Sequence, residues 1–216
     1  MNWKGIPYVA TDVNPLTKAE IAFSKEYRKV PIAMIGDRQL NDSSVIMEDL
    51  IKSLRADGVE ILGSENAEIS KWLKFVDTKL AVVLFPNITR NMYESWEAFG
   101  YINSVPHFGM FEKFVLRVTG SVAMRLANSK IKRKYAIDNE RTALLIAINE
   151  WVKEGLQGKE FCGGKEPNLA DVAVYGCLKS IEAFTAFAWL IEESPKEFLI
   201  WFNRMEKKIP NNCQRE

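Results

Sequence analysis

The chain has 216 residues, 47% hydrophobic and 26% charged, with a formal net charge of +1. That is enough for one large domain or two small ones with real cores, and the composition is ordinary for a globular protein. So balanced a charge argues against a duplex-binding role, which rests on a clustered basic surface. Three scattered cysteines (Cys162, Cys177, Cys213) and one histidine (His107) argue against a disulfide framework and a local zinc cluster, and fit a reducing compartment.

The opening Met1 to Gly5 shows no apolar stretch of the secretory kind. Tyr8 to Val13 is rich in strand formers, and Asn14-Pro15 ends it and opens a short helix. Val30 to Ile35 reads as a second strand, Gly36-Asp37 as a turn and Arg38 to Leu40 as a returning strand. Asn41 to Ser44 supplies capping side chains for a helix with Val45, Ile46, Leu50 and Leu54 on or near its apolar face. Gly58 to Glu65 reads as a linker. Beyond it only helical periodicity is visible. Phe111, Phe114, Val115, Val118, Val122 and Leu126 form one stripe, and Leu144, Ala147, Ile148, Trp151 and Val152 another, both expected to face a shared core. Lys130 to Lys134 reads as the solvated cationic last turn of a helix rather than a lipid contact. Asn168 and Asp171 are spaced for a reciprocal cap after the breaking signals at Gly163 to Pro167. The longest apolar run, Ala183 to Ile191, is far short of the ~20 residues that span a bilayer. The six tryptophans read as core and interface residues, His107 as a structural or surface residue, and the Asn87-Ile88-Thr89 sequon is discounted.

A small α/β region followed by a helical bundle is the order of glutathione transferases. Asn168 to Gly176 resembles the capped core helix of that superfamily. Gln39-Leu40-Asn41-Asp42-Ser43-Ser44-Val45-Ile46 resembles the glutathione-site segment of the type-2 membrane-associated prostaglandin E synthases. Val13-Asn14-Pro15, Tyr27 to Ile32, Pro86-Asn87-Ile88, Phe108-Gly109 and Gly163 to Tyr175 are similar to that family too, so the resemblance covers nearly the whole chain. It implies a mostly α, α+β fold. A thioredoxin-like (glutaredoxin-like) domain would occupy residues 1–58, and an all-helical glutathione-transferase-type domain residues 65–216. Family members carry an earlier strand and a helix start bearing Cys-Pro-x-Cys, and Met1 to Pro7 resembles the end of that helix. The sequence holds no Cys-Pro-x-Cys, so the expected domain is shortened, as by an incomplete gene model or a shorter isoform. The absent strand would lie between the Tyr8–Val13 and Val30–Ile35 strands, which are then not neighbours and are expected to leave unpaired edges.

The resemblance places glutathione at Val30, Pro31, Asp42 and Ser43. With Pro31 cis, the Val30 N–H and C=O would pair with the peptide backbone of glutathione; local sequence alone favours a trans proline at a strand start. Ser43, at a helix N-terminus, would take the γ-glutamyl carboxylate and Asp42 its ammonium; a plain helix cap is the alternative and does not exclude this. No catalytic residue is assigned, since Cys162, Cys177 and Cys213 lie in the helical half, and no metal site is assigned. The implied activity is thiol-assisted isomerisation of the endoperoxide of prostaglandin H2 to prostaglandin E2 in an interdomain cleft. Haem held with glutathione, a homodimer, and a mitochondrial, Golgi-membrane or otherwise cytoplasmic location are also implied. The alternatives are a non-catalytic glutathione- or haem-binding or interaction module of the same fold and a general glutathione transferase.

Overall fold

A computed structural model describes residues 1–13, 17–59, 61, 65–100, 109–209 and 214–215. The chain divides into two compact units, Met1–Ile69 with Glu206–Glu216, and Ser70–Met205. The expected helix opening at Asn14-Pro15, the middle of the Gly58–Glu65 segment, His107 and Cys213 lie outside the described residues.

In the first unit β1 (Val9–Ala10) precedes a short 3-10 turn at Ala19–Ile21. A hairpin of β2 (Ile32–Ile35) and β3 (Arg38–Asn41) follows, then α1 (Ser43–Ala56). The hairpin is antiparallel, with Ile32 opposite Asn41 and Ile35 opposite Arg38 across the Gly36-Asp37 turn. It lies where strand formers flank a turn dipeptide. It starts at Ile32 rather than Val30 because Pro31 has no N–H to give a ladder. On α1, Ile46 and Ile51 are buried, whereas Val45 is 47% exposed and lies off the apolar face assigned to it.

The Tyr8–Val13 strand shrinks to β1, which is in a different sheet from β2. One of its edges is paired, while its other edge and the outer edge of β2 have no strand partner among the described residues, as expected. β4 (Gln214–Arg215) pairs with β1 in parallel, Val9 against Gln214 and Ala10 against Arg215. A free row of strand amides and carbonyls favours pairing with an extended segment, and Gln214–Arg215 supplies one.

The helices run α2 (Ala67–Phe75), α3 (Ala81–Ile88), α4 (Met92–Ala98), α5 (Met110–Lys134), α6 (Glu140–Glu150), α7 (Leu169–Lys179), α8 (Thr185–Glu193) and α9 (Lys196–Lys208). Wider π-helical turns at Val76–Leu80 and Trp151–Leu156 follow α2 and α6. The core of the second unit centres on Trp151, which meets Trp72 edge-on at 5.0 Å and Trp201 at 5.2 Å between ring centres. This is the preferred geometry for rings with electron-rich faces. The α6 stripe faces this core as expected, with Leu144, Ala147, Ile148 and Trp151 fully buried and Val152 half-buried.

The α5 stripe does not. Phe111 is 79% exposed, Phe114 60% and Leu126 64%, and Val115, Val118 and Val122 are also exposed. The face turned inward is small and polar. Ser121 Oγ donates to Arg117 O at 2.6 Å and lies 3.3 Å from Ser95 O. Asn128 Nδ2 donates to Pro86 O, Thr89 O and Thr89 Oγ1 at 2.8–3.1 Å. A Cβ at Gly120 would fall 2.3 Å from the Phe99 ring, so only glycine allows this approach. Periodicity shows which residues share a face, not which way that face points.

Candidate functional site

The first unit brings the two sequence-assigned segments together. Because Ile32 pairs with Asn41, the next position outward sets Pro31 beside Asp42, and the Asp42 N–H donates to Pro31 O at 3.3 Å. The Val30–Pro31 peptide is cis. Val30 is 60% exposed, and among the described residues nothing bonds its N–H or C=O.

Asp42 is the cap of α1. Its Oδ1 accepts from the Ser44 N–H at 2.9 Å and the Ser44 hydroxyl at 2.7 Å. Both bonds favour the ionised form and hold the carboxyl below the usual carboxylate range, with the Lys29 charge adding to them. The residue is exposed and its backbone sits at φ 78°, ψ 141°, a region that strains a non-glycine residue. Ser43, the first residue of α1, is exposed, and no partner among the described residues takes its N–H or hydroxyl. One end of the hairpin therefore offers an outward peptide edge, free donors at a helix N-terminus, and a carboxylate. Such groups can take a peptide backbone, an anion and an ammonium respectively.

Sequence reasoning assigned no role to the polar groups behind this end. Ser24, 3% exposed, donates from Oγ to Tyr27 O at 2.6 Å and accepts from Gln39 Nε2 at 2.8 Å. Arg28 donates to Ile21 O at 2.9 Å and Lys18 O at 3.3 Å, while Lys18 Nζ donates back to Arg28 O at 2.7 Å. The run Tyr27-Arg28-Lys29-Val30 was the available signal, but the partners of Arg28 lie seven and ten residues away.

In the second unit the Asn168–Asp171 capping box is formed as expected. Asp171, fully buried, also accepts from the Cys162 N–H at 2.9 Å, the Gly163 N–H at 3.1 Å and Trp201 Nε1 at 2.9 Å. Burial pushes its carboxyl up, against the pull of these donors. A Cβ on Gly163 would sit 2.4 Å from Glu166 O, so the loop closes on Asp171 only with glycine there. The sequon asparagine, Asn87, is fully buried and spends its Nδ2 on Val83 O at 2.8 Å and Glu140 O at 2.7 Å. That amide is not presented for glycosylation in the fold.

Cys162 is buried, and burial, with Asp77 adding to it, pushes the half-buried Cys177 thiol up to about 12. Thiolate is the reactive form. Cys177 should therefore escape alkylation by iodoacetamide at pH 7.5 in the native protein and react fully after unfolding, as read by peptide mass spectrometry. Among the described residues no group of three His, Cys, Asp or Glu could hold a metal, and no helix is long and apolar enough to cross a membrane.

The fold is that of a mostly helical α+β protein. Comparison with known proteins takes this further. No protein-family model matches the chain. Prostaglandin E synthase 2 of Danio rerio is 31% identical to it over an alignment 250 positions long, covering 96% of this chain and 66% of the relative. Prostaglandin E synthase 2 of Mus musculus is 32% identical over 254, covering 97% and 65%. The chain belongs to the prostaglandin E synthase 2 family, and it spans just under two thirds of the length of these relatives.

Proposed function

We propose that this chain holds glutathione at Val30, Pro31, Asp42 and Ser43 and serves the isomerisation of the prostaglandin H2 endoperoxide to the hydroxyketone prostaglandin E2. The reading is supported by one arrangement above all: the hairpin end sets an open Val30 peptide edge beside Asp42 and Ser43, in a chain whose relatives are named prostaglandin E synthase 2. In this reading the hairpin and α1 belong to a thioredoxin-like domain, and the helices to a glutathione-transferase-type one.

Glutathione would lie with its cysteinyl peptide along Val30, its γ-glutamyl carboxylate at the start of α1 and its ammonium on Asp42. The chemistry it supplies is a thiol. Cys177 stays protonated and Cys162 is buried, so neither supplies a thiolate in its place. Endoperoxide and hydroxyketone are isomers, so glutathione is returned unchanged. Haem, the other group that the resemblance pairs with glutathione, is part of the same proposal.

The test is incubation of the purified chain with prostaglandin H2, with and without reduced glutathione. Prostaglandin E2 above the spontaneous yield, with no net loss of thiol, is the expected result. Glutathione binding with no such product would leave the non-catalytic module. Turnover of a simple aromatic electrophile would point instead to a general glutathione transferase.

The exposed α5 stripe supports a homodimer. Phe111, Val115, Val118 and Val122 follow the alternating four- and three-residue spacing by which one helix packs on another, and they face solvent in the single chain. Sedimentation should give about twice the 24.7 kDa of one chain, and Val118→Asp with Val122→Asp should give the single-chain mass.

A further inference from the structure

We infer that Ser24 and Arg28 are positioning residues that hold the Val30 peptide edge in its ligand-accepting conformation, an inference that rests on the glutathione reading. The stretch from Lys25 to Pro31 contains no helix or strand, so no ladder of backbone bonds holds it. Side chains replace the ladder. The Tyr27 carbonyl accepts from Ser24 Oγ, and the Arg28 carbonyl accepts from Lys18 Nζ. The Arg28 guanidinium reaches back to the carbonyls of Ile21 and Lys18, at the two ends of the 3-10 turn. Gln39 ties Ser24 to β3 and also donates to Asn41 Oδ1 at 2.7 Å.

These bonds bracket Val30. Upstream, two successive carbonyls are fixed by side chains; downstream, the Pro31 carbonyl is fixed by the Asp42 N–H. Between the brackets the backbone groups of Val30 and its neighbour Lys29 make no bond among the described residues. A peptide edge ordered before the ligand arrives spares the ligand the entropy of ordering it. Ser24 and Arg28 touch no part of the proposed ligand; they act through Val30.

The test compares two ligands on the full chain. Glutathione needs the Val30 edge as well as the α1 terminus. Free glutamate carries the same α-carboxylate and ammonium, with a γ-carboxylate where glutathione has its peptide, and needs the terminus alone. Arg28→Ala should weaken glutathione about tenfold and leave glutamate affinity unchanged, measured by amide shifts of Ser43 during titration. Ser24→Ala, which keeps every charge, should do the same more weakly, and serves if Arg28→Ala does not fold. Arg28→Lys should recover part of the affinity. Equal weakening of both ligands would mean a general loss of structure and would overturn the inference, as would unchanged glutathione affinity in both alanine variants. A wild-type chain that binds neither ligand would sink the glutathione reading itself, and with it this inference.

Discussion

Replacing Asp171 by alanine should lower the unfolding free energy by about 4 kcal/mol. The carboxylate lies at zero exposure and takes four donors: the amides of Cys162, Gly163 and Asn168 and the indole N–H of Trp201. Alanine would strand all four donors away from water, each costing about 1–3 kcal/mol before relaxation. It would also leave a cavity beside Trp201, whose ring packs on Trp151 at the centre of the second unit. Asp171→Asn should cost roughly half as much, because one oxygen remains to accept while the new NH2 faces donors. Asn168→Ala, which removes only the outer half of the box, should cost about 1 kcal/mol. Urea unfolding of the three variants gives the order directly, and equal losses for Asp171→Ala and Asn168→Ala would show that the inner donors contribute nothing.

The second large effect concerns Asp42, and it separates stability from function. A cap at φ 78° is costly for aspartate and easy for glycine, and glycine is itself a tolerable cap. Asp42→Gly should therefore keep or raise the melting temperature. The same change removes the carboxylate proposed to hold the γ-glutamyl ammonium, and glutathione affinity should fall about thirtyfold or more. A residue kept only as a cap would show no such split. The carboxyl is held below its ordinary range in the free protein, so it stays charged at neutral pH and down into mild acid. Binding should then weaken on acidification only as the pH passes below the usual aspartate range, because the charged form is the one that pairs with an ammonium.

What could be read beforehand was local chemistry. The hairpin follows from strand formers around Gly36-Asp37, α1 from the caps before it, and the Asn168–Asp171 box from its spacing. Each of those signals sits within a few residues of its effect. The failures are of longer range. Nothing local says that α5 turns Ser121 and Asn128 inward and its apolar stripe outward; that is decided by carbonyls on α3 and α4. Nor does Gln214-Arg215 carry a strand pattern, and its pairing with Val9-Ala10 depends on an open edge far away in the sequence. At the candidate site, Val30, Asp42 and Ser43 were legible through family resemblance, whereas Ser24, Arg28 and Gln39 emerge only once the fold sets their partners beside them.

The central claim is that the hairpin end of the first unit accepts glutathione. Amide shift mapping of the isotope-labelled chain during titration with reduced glutathione tests it most directly. Saturable shifts led by Val30, Asp42 and Ser43, weakened by Asp42→Gly, are the expected result. Saturable shifts elsewhere, or none at millimolar glutathione, would contradict it.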